Sequence, residues 1–356
     1  MSKSPISQAP PLTLLGQSIL PGSRRMLEMP AAQLYTNTPL NIPVHIVHGR
    51  RAGPVLLLCA AIHGDELNGV EIIRRLLQSP ALKRIKGTVI AVPVVNVFGF
   101  IHQSRYLPDR RDLNRCFPGS ETGSLGARMA RLFKTQILDH CSHAIDLHTG
   151  AIHRSNLPQI RANLENAATE AMAHAFGVPL ILNSVLRDGT LREVAEAQAI
   201  PVITYEAGEA LRFDEASIRA GVRGVTQVMR HLGMLAESKK TARTSATAVA
   251  RSSLWVRAER DGVFRASVLL GQRIRRDQIL GHISSPFADN DLAIPAPCGG
   301  ILVGRNNLPL VNEGEALFHI ARFEELGDVA EQVQAFTADI LEGTTLGQSG
   351  EPSITP

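Results

Sequence analysis

The segment at residues 55–78, VLLLCAAIHGDELNGVEIIRRLLQ, constrains the fold more than any other part of this chain. An apolar run from Val55 to Ile62 stops at His63, and apolar residues at helical spacing follow. This pattern predicts a buried strand that leads into a helix. The strand would deliver His63 and Glu66 to its carboxyl end, which is where open α/β sheets bind their ligands.

A second segment, HAIDLHTG at 143–150, also carries a histidine, His148, where an apolar run ends. Two imidazoles and one carboxylate are typical zinc ligands, and three protein ligands leave the fourth position open, as in catalytic sites. We therefore predict one Zn²⁺ per chain, bound by His63, Glu66 and His148. The His-x-x-Glu spacing alone is weak support, because such pairs occur by chance in many helices.

Apolar runs and helix-like stretches alternate between Val55 and residue 235. The runs lie at 55–62, 88–95, 143–147, 180–182 and 201–205, and the helical stretches at 68–78, 124–139, 163–176, 190–199 and 214–235. This alternation predicts an α/β fold with a mostly parallel mixed sheet flanked by helices. We assign residues 1–236, including N-terminal strands, to this domain.

Composition changes after residue 236. Residues 237–253 are small, polar and basic, which predicts a linker. Residues 254–323 show an all-β pattern in which 259–283 and 297–320 repeat at an offset of about 37 to 38 positions. The repeat resembles a biotinyl/lipoyl-type β-sandwich, yet no lysine follows Lys240, so a carrier role is excluded and a lid or an oligomerisation module remains. Residues 324–356 are expected to form a short helix and a flexible tail.

Charge and composition limit the partners of the chain. The net charge of +4 lacks a dense basic run, and aromatic residues make up only 4%, which disfavours nucleic-acid binding. No apolar stretch approaches the roughly 18 residues of a membrane span. The four cysteines lie far apart without a CxxC spacing, as expected of reduced thiols in the cytoplasm. We expect a small anionic substrate, and β-strand edges make a homo-oligomer possible.

Four segments, in this order and spacing, resemble the succinylglutamate desuccinylase/aspartoacylase family of the zinc carboxypeptidase clan. They are HGDELNG (63–69), SRYLPDRRDLNRCFPG (104–119), DLHTG (146–150) and TYEAG (204–208). The resemblance implies the zinc carboxypeptidase-like fold and the three zinc ligands named above. It further implies Glu206 as general base, Arg105 as the group that polarises the scissile carbonyl, and Asn114 with Arg115 as a carboxylate clamp.

Other residues near these motifs are candidates for further roles. Asp146 either hydrogen bonds a metal-binding histidine or caps a turn. Glu209 is a weaker candidate for the base than Glu206, and His153 is expected at the pocket rim. Arg187 and Arg192 are further candidates for an anion pocket.

The leading hypothesis is a zinc-dependent hydrolase that cleaves the amide bond of an N-acylated, carboxylate-bearing amino acid or related small molecule. One alternative is a zinc carboxypeptidase acting on a peptide or an acidic, polyglutamate-like tail. Another, of a different class, is a non-catalytic metal- or ligand-binding protein.

Overall fold

The computed structural model describes residues 8–237, 247–287, 290–324 and 327–345. Its α-helices are α1 (Asn68–Gln78), α2 (Val97–Ile101), α3 (Leu125–Gln136), α4 (Ala167–Phe176), α5 (Leu191–Glu196), α6 (Glu215–His231) and α7 (Val329–Thr345). The N-terminal and central strands are β1 (Leu12–Leu14), β2 (Gln17–Ile19), β3 (Arg24–Gln33), β4 (Pro39–His48), β5 (Arg51–Ala60), β6 (Lys86–Val92), β7 (His143–Gly150), β8 (Arg154–Ala162), β9 (Leu180–Asn183) and β10 (Val202–Glu209). The remaining strands are β11 (Ala248–Ala250), β12 (Ser252–Arg257), β13 (Gly262–Ala266), β14 (Arg273–Ile274), β15 (Ile279–Ser284), β16 (Asp291–Pro295), β17 (Gly300–Asn306), β18 (Leu310–Val311) and β19 (Ala316–Arg322).

Thirteen strands of the described residues form one mixed sheet with the order β12-β19-β17-β8-β10-β7-β5-β6-β4-β3, from which β9, β11 and β14 branch. The predicted α/β class is confirmed. Parallel pairing is limited to β6-β5-β7-β10 and to β8-β9-β11, however, so "mostly parallel" is wrong for the outer strands. The outer strands are antiparallel because β3 and β4 form a hairpin and β8 runs back directly from β7.

Both faces of the central sheet are covered, which explains the continuous apolar run in β5. Leu56 and Leu58 pack into a core with α1, α4 and α6, whereas Leu57 and Cys59 pack into a second core with α3 on the opposite face. A strand buried on both sides carries apolar residues at every position instead of every second one. This packing holds the carboxyl ends of β5, β7 and β10 in fixed relative positions.

Two glycines let α6 pack closely against its neighbours. A Cβ at Gly221 would lie 2.3 Å from the Ile72 side chain, and one at Gly224 would lie 2.1 Å from the Phe176 ring. The Phe176 ring in turn stacks on Tyr205 of β10, with ring centroids 4.9 Å apart. The helix therefore supports, from behind, the strand that carries Glu206.

The C-terminal β module, residues 252–322, consists of two four-stranded arrays. Their strand orders are β12-β19-β17-β14 and β16-β15-β13-β18. Each sequence repeat contributes two long strands to one array and its short strand to the other, because β14 pairs with β17 and β18 pairs with β13. The repeat thus has a structural counterpart. The module continues the central sheet, since β17 pairs antiparallel with β8.

Two predictions about the chain's organisation need correction or restriction. Residues 238–246 of the expected linker lie outside the described residues, but 248–250 form β11, which hydrogen bonds to β9, and 252–253 begin β12. The helix expected to be short, α7, spans 17 residues because Val333 and Phe336 pack into the core; residues 346–356 lie outside the described part. Strand β8 was not predicted at all.

None of the helices in the described ranges is long and apolar enough to cross a membrane.

The tight packing of α6 predicts that Gly224→Ala destabilises the fold. The added methyl must displace the Phe176 ring, and overpacking of this kind lowers the free energy of unfolding by about 1–3 kcal/mol. Urea denaturation measures the change. Gly299→Ala is the control, because its Cβ would meet no atom closer than 3.4 Å; equal stability losses for the two variants would contradict the argument.

Candidate active site

The loop after β5 positions the first two candidate ligands. The chain turns at Ala61, which has φ 48°, in the left-handed region that non-glycine residues rarely adopt. A Cβ at Gly64 would lie 2.0 Å from the carbonyl carbon of Gly99, so only glycine permits α2 to pack on this loop. The loop conformation turns His63 and Glu66 back over the end of the sheet.

His63, Glu66 and His148 form a buried trio. The Nδ1 atom of His63 lies 2.8 Å from one oxygen of the Glu66 carboxylate, and Nδ1 of His148 lies 2.7 Å from the other. One ligand atom from each residue lies within 4.8 Å of those of the other two. Two imidazole nitrogens and a carboxylate oxygen at this spacing fit the donor set of a divalent metal such as zinc.

Two further carboxylates fix the orientation of the imidazoles. Asp112 Oδ1 lies 3.0 Å from Nε2 of His63, and Asp146 Oδ2 lies 2.8 Å from Nε2 of His148. With each Nε2 hydrogen bonded to an aspartate, each Nδ1 is the nitrogen that faces Glu66, and it could bind a metal after losing its proton. Sequence reasoning considered Asp146 for this role but missed Asp112, although Asp112 begins the DLNR part of the segment at 104–119 that resembles the family.

The electrostatics of the trio keep its carboxylate anionic. Burial alone would raise the pKa of Glu66, but His63 and His148 outweigh it and hold that pKa well below its usual range. Burial likewise lowers the pKa of His148, yet the neighbouring Asp146 and Glu66 carboxylates raise it well above the usual value. A metal that bound between these residues would therefore displace protons from the imidazoles.

Arg105 lies beside the trio. Its guanidinium donates to Asp112 Oδ2 at 2.8 Å and to Glu66 Oε1 at 3.3 Å. It also lines the cavity in front of the trio. A guanidinium held here can donate to an oxygen that approaches the trio.

Glu206 lies on β10 next to His148, its partner in the parallel register with β7. Its carboxylate accepts a hydrogen bond from Asn156 Nδ2 at 2.9 Å and lies 3.0 Å from Nε of Arg161. Both partners belong to β8. The structure thus places Glu206 in the same cavity as the trio and restrains its carboxylate from one side.

Asn114 and Arg115 lie in the short 3₁₀ turn Leu113–Arg115 and line the same cavity. Asn114 Oδ1 accepts the backbone N–H of Leu191 at the start of α5, so its Nδ2 atom is the one left to donate. Burial, together with nearby Arg187 and Arg105, lowers the pKa of Arg115 despite the opposing effect of Asp112. The group stays charged at neutral pH, and an incoming anion would relieve this repulsion.

The cavity has a volume of about 740 Å³ and is rich in positive charge. Of the described residues that line it, six are arginines and three are acids; the arginines are Arg105, Arg115, Arg154, Arg161, Arg187 and Arg192. Nη1 of Arg192 is buried without a hydrogen-bond partner among the described residues, and burial followed by the repulsion of Arg161 lowers the pKa of Arg192. Such a cavity is suited to a substrate with several negative charges.

The sequence analysis did not identify Arg154 and Arg161 as site residues because it did not predict strand β8, which carries both. The sequence of this strand, RSNLPQIRA, has no regular apolar pattern, and its cavity-lining positions include Asn156 and Arg161. Ser253 and Trp255 of β12 also line the cavity and were not predicted.

Glu209, the weaker candidate for the base, has a different environment. Its carboxylate accepts hydrogen bonds from the backbone N–H of His153 at 3.1 Å and from Asn307 Nδ2 at 2.8 Å. It is absent from the lining of the cavity described above. Glu209 thus links the turn after β7 to the C-terminal β module.

The hydrogen bond from His63 to Asp112 predicts that Asp112→Asn lowers the affinity of the trio for Zn²⁺ by about 10–100-fold, because the amide no longer anchors the imidazole as an anion does. Competition with a chromogenic chelator measures the affinity. Asp139→Asn, which removes an acid that pairs with Lys134 at the surface, is the control. Unchanged affinity in Asp112→Asn would refute the anchoring role.

Comparisons with known proteins identify the family of this chain. The sequence model of the succinylglutamate desuccinylase/aspartoacylase catalytic domain matches residues 52–232, just over half of the chain. An N-alpha-acetyl-L-2,4-diaminobutyric acid deacetylase of Halomonas elongata is 24% identical over 296 residues, covering 80% of this chain and 86% of the relative.

Solved structures show the same fold. A succinylglutamate desuccinylase/aspartoacylase from Rhodobacter sphaeroides superposes with a TM-score of 0.75 at 26% identity, covering 84% of this chain and 96% of that one. The product-bound ectoine utilization protein EutE (DoeB) of Ruegeria pomeroyi gives a TM-score of 0.75 at 24% identity, with coverages of 84% and 94%. The chain therefore belongs to the succinylglutamate desuccinylase/aspartoacylase family, whose known members include amide-bond deacylases.

Proposed function

We propose that this protein is a zinc-dependent amidohydrolase that removes an acyl group from a small N-acyl amino acid bearing at least two carboxylates. One observation carries the proposal: the buried trio and the restrained Glu206 carboxylate face one cavity whose other charged groups are mainly arginines. Family membership and the deacetylase relative support amide hydrolysis as the reaction.

The residues divide the chemistry between them. A zinc ion held by His63, Glu66 and His148 would supply a Lewis acid for the amide carbonyl and lower the pKa of a water molecule toward neutrality. Glu206 accepts a proton from the attacking water and passes it to the departing amine. Arg105 donates to the oxygen that gains negative charge, a contribution typically worth about 10²–10³ in rate.

Asn114 and Arg115 bind a carboxylate of the amino acid part. The guanidinium of Arg115 offers parallel donors to both carboxylate oxygens, and Asn114 adds its amide N–H. Both groups face the cavity from the turn that also carries Asp112. The substrate is therefore oriented by the same segment that anchors His63.

The six arginines that line this cavity disfavour a substrate with a positively charged side chain. The compound named for the Halomonas elongata relative carries one carboxylate and a side-chain amine. Six arginines against three acids would repel that amine. We therefore assign this chain a substrate in which the amine is replaced by a second carboxylate.

A small molecule fits better than a peptide. Ser253 and Trp255 of the C-terminal β module line the cavity from β12, the strand at one end of the sheet that contains β5 and β7. We take this module to be a biotinyl/lipoyl-like fold that acts as a wall, in keeping with the exchange of short strands between its halves and the absence of a lysine after Lys240. A wall at this place shortens the space available to a polypeptide.

The role of Glu206 predicts that Glu206→Gln lowers kcat by about 10²–10⁴-fold while zinc stoichiometry stays the same, because an amide cannot accept the proton. Steady-state kinetics and metal analysis give the two readouts. Glu209→Gln is the comparison and should retain most activity. A Glu206→Gln variant with wild-type turnover would eliminate Glu206 as the base.

The cavity charge predicts an order of kcat/KM among N-acetyl amino acids. The kcat/KM for N-acetyl-L-glutamate should be higher than that for N-acetyl-L-alanine. The kcat/KM for N-alpha-acetyl-L-2,4-diaminobutyrate should be about 10²-fold lower than that for N-acetyl-L-glutamate, because its amine would lie near unpaired arginines. Assay of released acetate at fixed pH gives the ratios. A preference for the compound with the side-chain amine would contradict the assigned substrate class.

A further inference from the structure

A second cavity lies at the amino ends of β5 and β6, away from the candidate active site. It has a volume of about 680 Å³, within the range of about 300–1,000 Å³ that is typical of small-molecule sites. Arg51, which begins β5, lines this cavity, whereas His63 follows the other end of the same strand. The 10 residues of β5, at about 3.3 Å each, separate its two ends by about 30 Å. The two cavities are therefore distinct.

Five lysine and arginine side chains, and no aspartate or glutamate, belong to the described residues that line this second cavity, which we call the basic cavity. They come from the start of β3, the turn between β4 and β5, and the 3₁₀ helix Pro80–Arg84; the residues are Arg24, Arg50, Arg51, Lys83 and Arg84. In the sequence they stand in three separate dibasic pairs, at 24–25, 50–51 and 83–84, so no dense basic run marks them. Only the fold brings their charges together.

Backbone hydrogen bonds hold the three segments against one another. The N–H of Gly22 donates to the carbonyl oxygen of His48 at 2.8 Å, and the N–H of His48 donates to that of Ser23 at 3.0 Å, which joins the start of β3 to the end of β4. The N–H of Gly49 donates to the carbonyl oxygen of Gly87 at 2.8 Å, which joins the turn after β4 to the chain that follows the 3₁₀ helix. The walls of the basic cavity are thus preformed, and a ligand would not have to order them.

The five cations lack acidic partners. Within the described ranges none of them forms an ion pair with a carboxylate, although Arg24 donates from Nη1 to the carbonyl oxygen of Leu77 at 2.9 Å. By contrast, Arg74 and Arg75 of α1 both pair with Glu71. Like charges gathered around one cavity repel each other, and a bound anion would relieve that repulsion.

The number of charges indicates the class of ligand. A carboxylate carries one negative charge, whereas a phosphate group carries about 1.5–2 at neutral pH and presents three acceptor oxygens. Two adjacent phosphates therefore match the five cations better than a small carboxylic acid does. Arginine binds phosphate through two parallel hydrogen bonds, and lysine binds it as a point charge. Val47 and Leu82 also line the basic cavity and offer an apolar contact to an organic group attached to the phosphates.

We propose that the basic cavity is a binding site for a small ligand with at least two adjacent phosphate groups, either pyrophosphate itself or an organic diphosphate. A small molecule is favoured over a nucleic acid because no phenylalanine, tyrosine or tryptophan occurs among the described residues that line this cavity. The site is independent of the proposed hydrolysis, since none of its described lining residues lines the cavity that contains the trio.

Isothermal titration calorimetry of the zinc-loaded protein with pyrophosphate, ADP and AMP tests the proposal. Pyrophosphate and ADP should bind, and AMP should bind about 10-fold more weakly because it carries a single phosphate. Tighter binding of ADP than of pyrophosphate would identify an organic diphosphate as the ligand, and the reverse order would identify the inorganic anion. Metal analysis before and after each titration ensures that heat from zinc extraction is not counted as binding.

Variants locate the site. Arg50→Gln combined with Arg84→Gln should lower the affinity for pyrophosphate by about 10–100-fold. Both side chains are exposed, so urea denaturation should show no loss of stability, which separates lost binding from misfolding. Arg273→Gln combined with Arg276→Gln is the control, because it removes two arginines from a turn that also carries Asp277, and it should leave the affinity unchanged.

Arg115→Gln distinguishes the basic cavity from the candidate active site. Pyrophosphate binding that persists in the Arg50→Gln/Arg84→Gln variant but is lost in Arg115→Gln would assign the ligand to the cavity with the trio and overturn the proposal. Failure of both pyrophosphate and ADP to bind the wild-type protein at low ionic strength would also overturn it. Neither result would bear on amide hydrolysis, which is measured separately.

Discussion

Four carboxylate–imidazole contacts organise this active site. Asp112 and Asp146 each hold the Nε2 side of one histidine, and Glu66 faces the Nδ1 side of both. The outer acids lie at the start of the DLNR turn and within β7, so the arrangement exists only when the ends of β5 and β7 and this turn come together. Buried charges of this kind are tolerated because each has an opposite or hydrogen-bonding partner. The same turn carries the predicted carboxylate clamp, which couples substrate orientation to the geometry of the trio.

Periodicity predicted the parts of the fold in which burial dictates the sequence. The run at Val55–Ile62 and the helix at 68–78 were placed within a few residues because both faces of β5 and one face of α1 are apolar. Strand β8 was missed for the opposite reason. Its cavity-facing side carries Asn156 and Arg161, and Pro158 interrupts it, so neither apolar alternation nor a continuous run marks it. This strand is polar because several of its side chains line the cavity, so it lacks the apolar alternation by which a strand is usually predicted.

The site was predictable where motifs carry it and unpredictable where the fold alone assembles it. His63, Glu66, His148, Glu206 and the Asn114–Arg115 pair stand in recognisable segments, and the structure brings all of them to one cavity. Asp112 also lies in such a segment, but its contact with His63 could not be predicted because the two residues are 49 positions apart in the sequence. Arg154 and Trp255 come from segments with no motif, and only the structure shows that they line the same cavity.

The junction between β8 and β17 has a mechanical consequence. The backbone of Asn156 pairs with Gly208 of β10 on one side and with Gly304 of β17 on the other, while its side chain holds Glu206. An outward rotation of the C-terminal β module would have to break backbone hydrogen bonds between β8 and β17 at Asn156. Asn156 is also the residue whose side chain hydrogen bonds to Glu206. The attachment of the C-terminal β module to the central sheet and the position of the Glu206 carboxylate therefore depend on the same residue, Asn156.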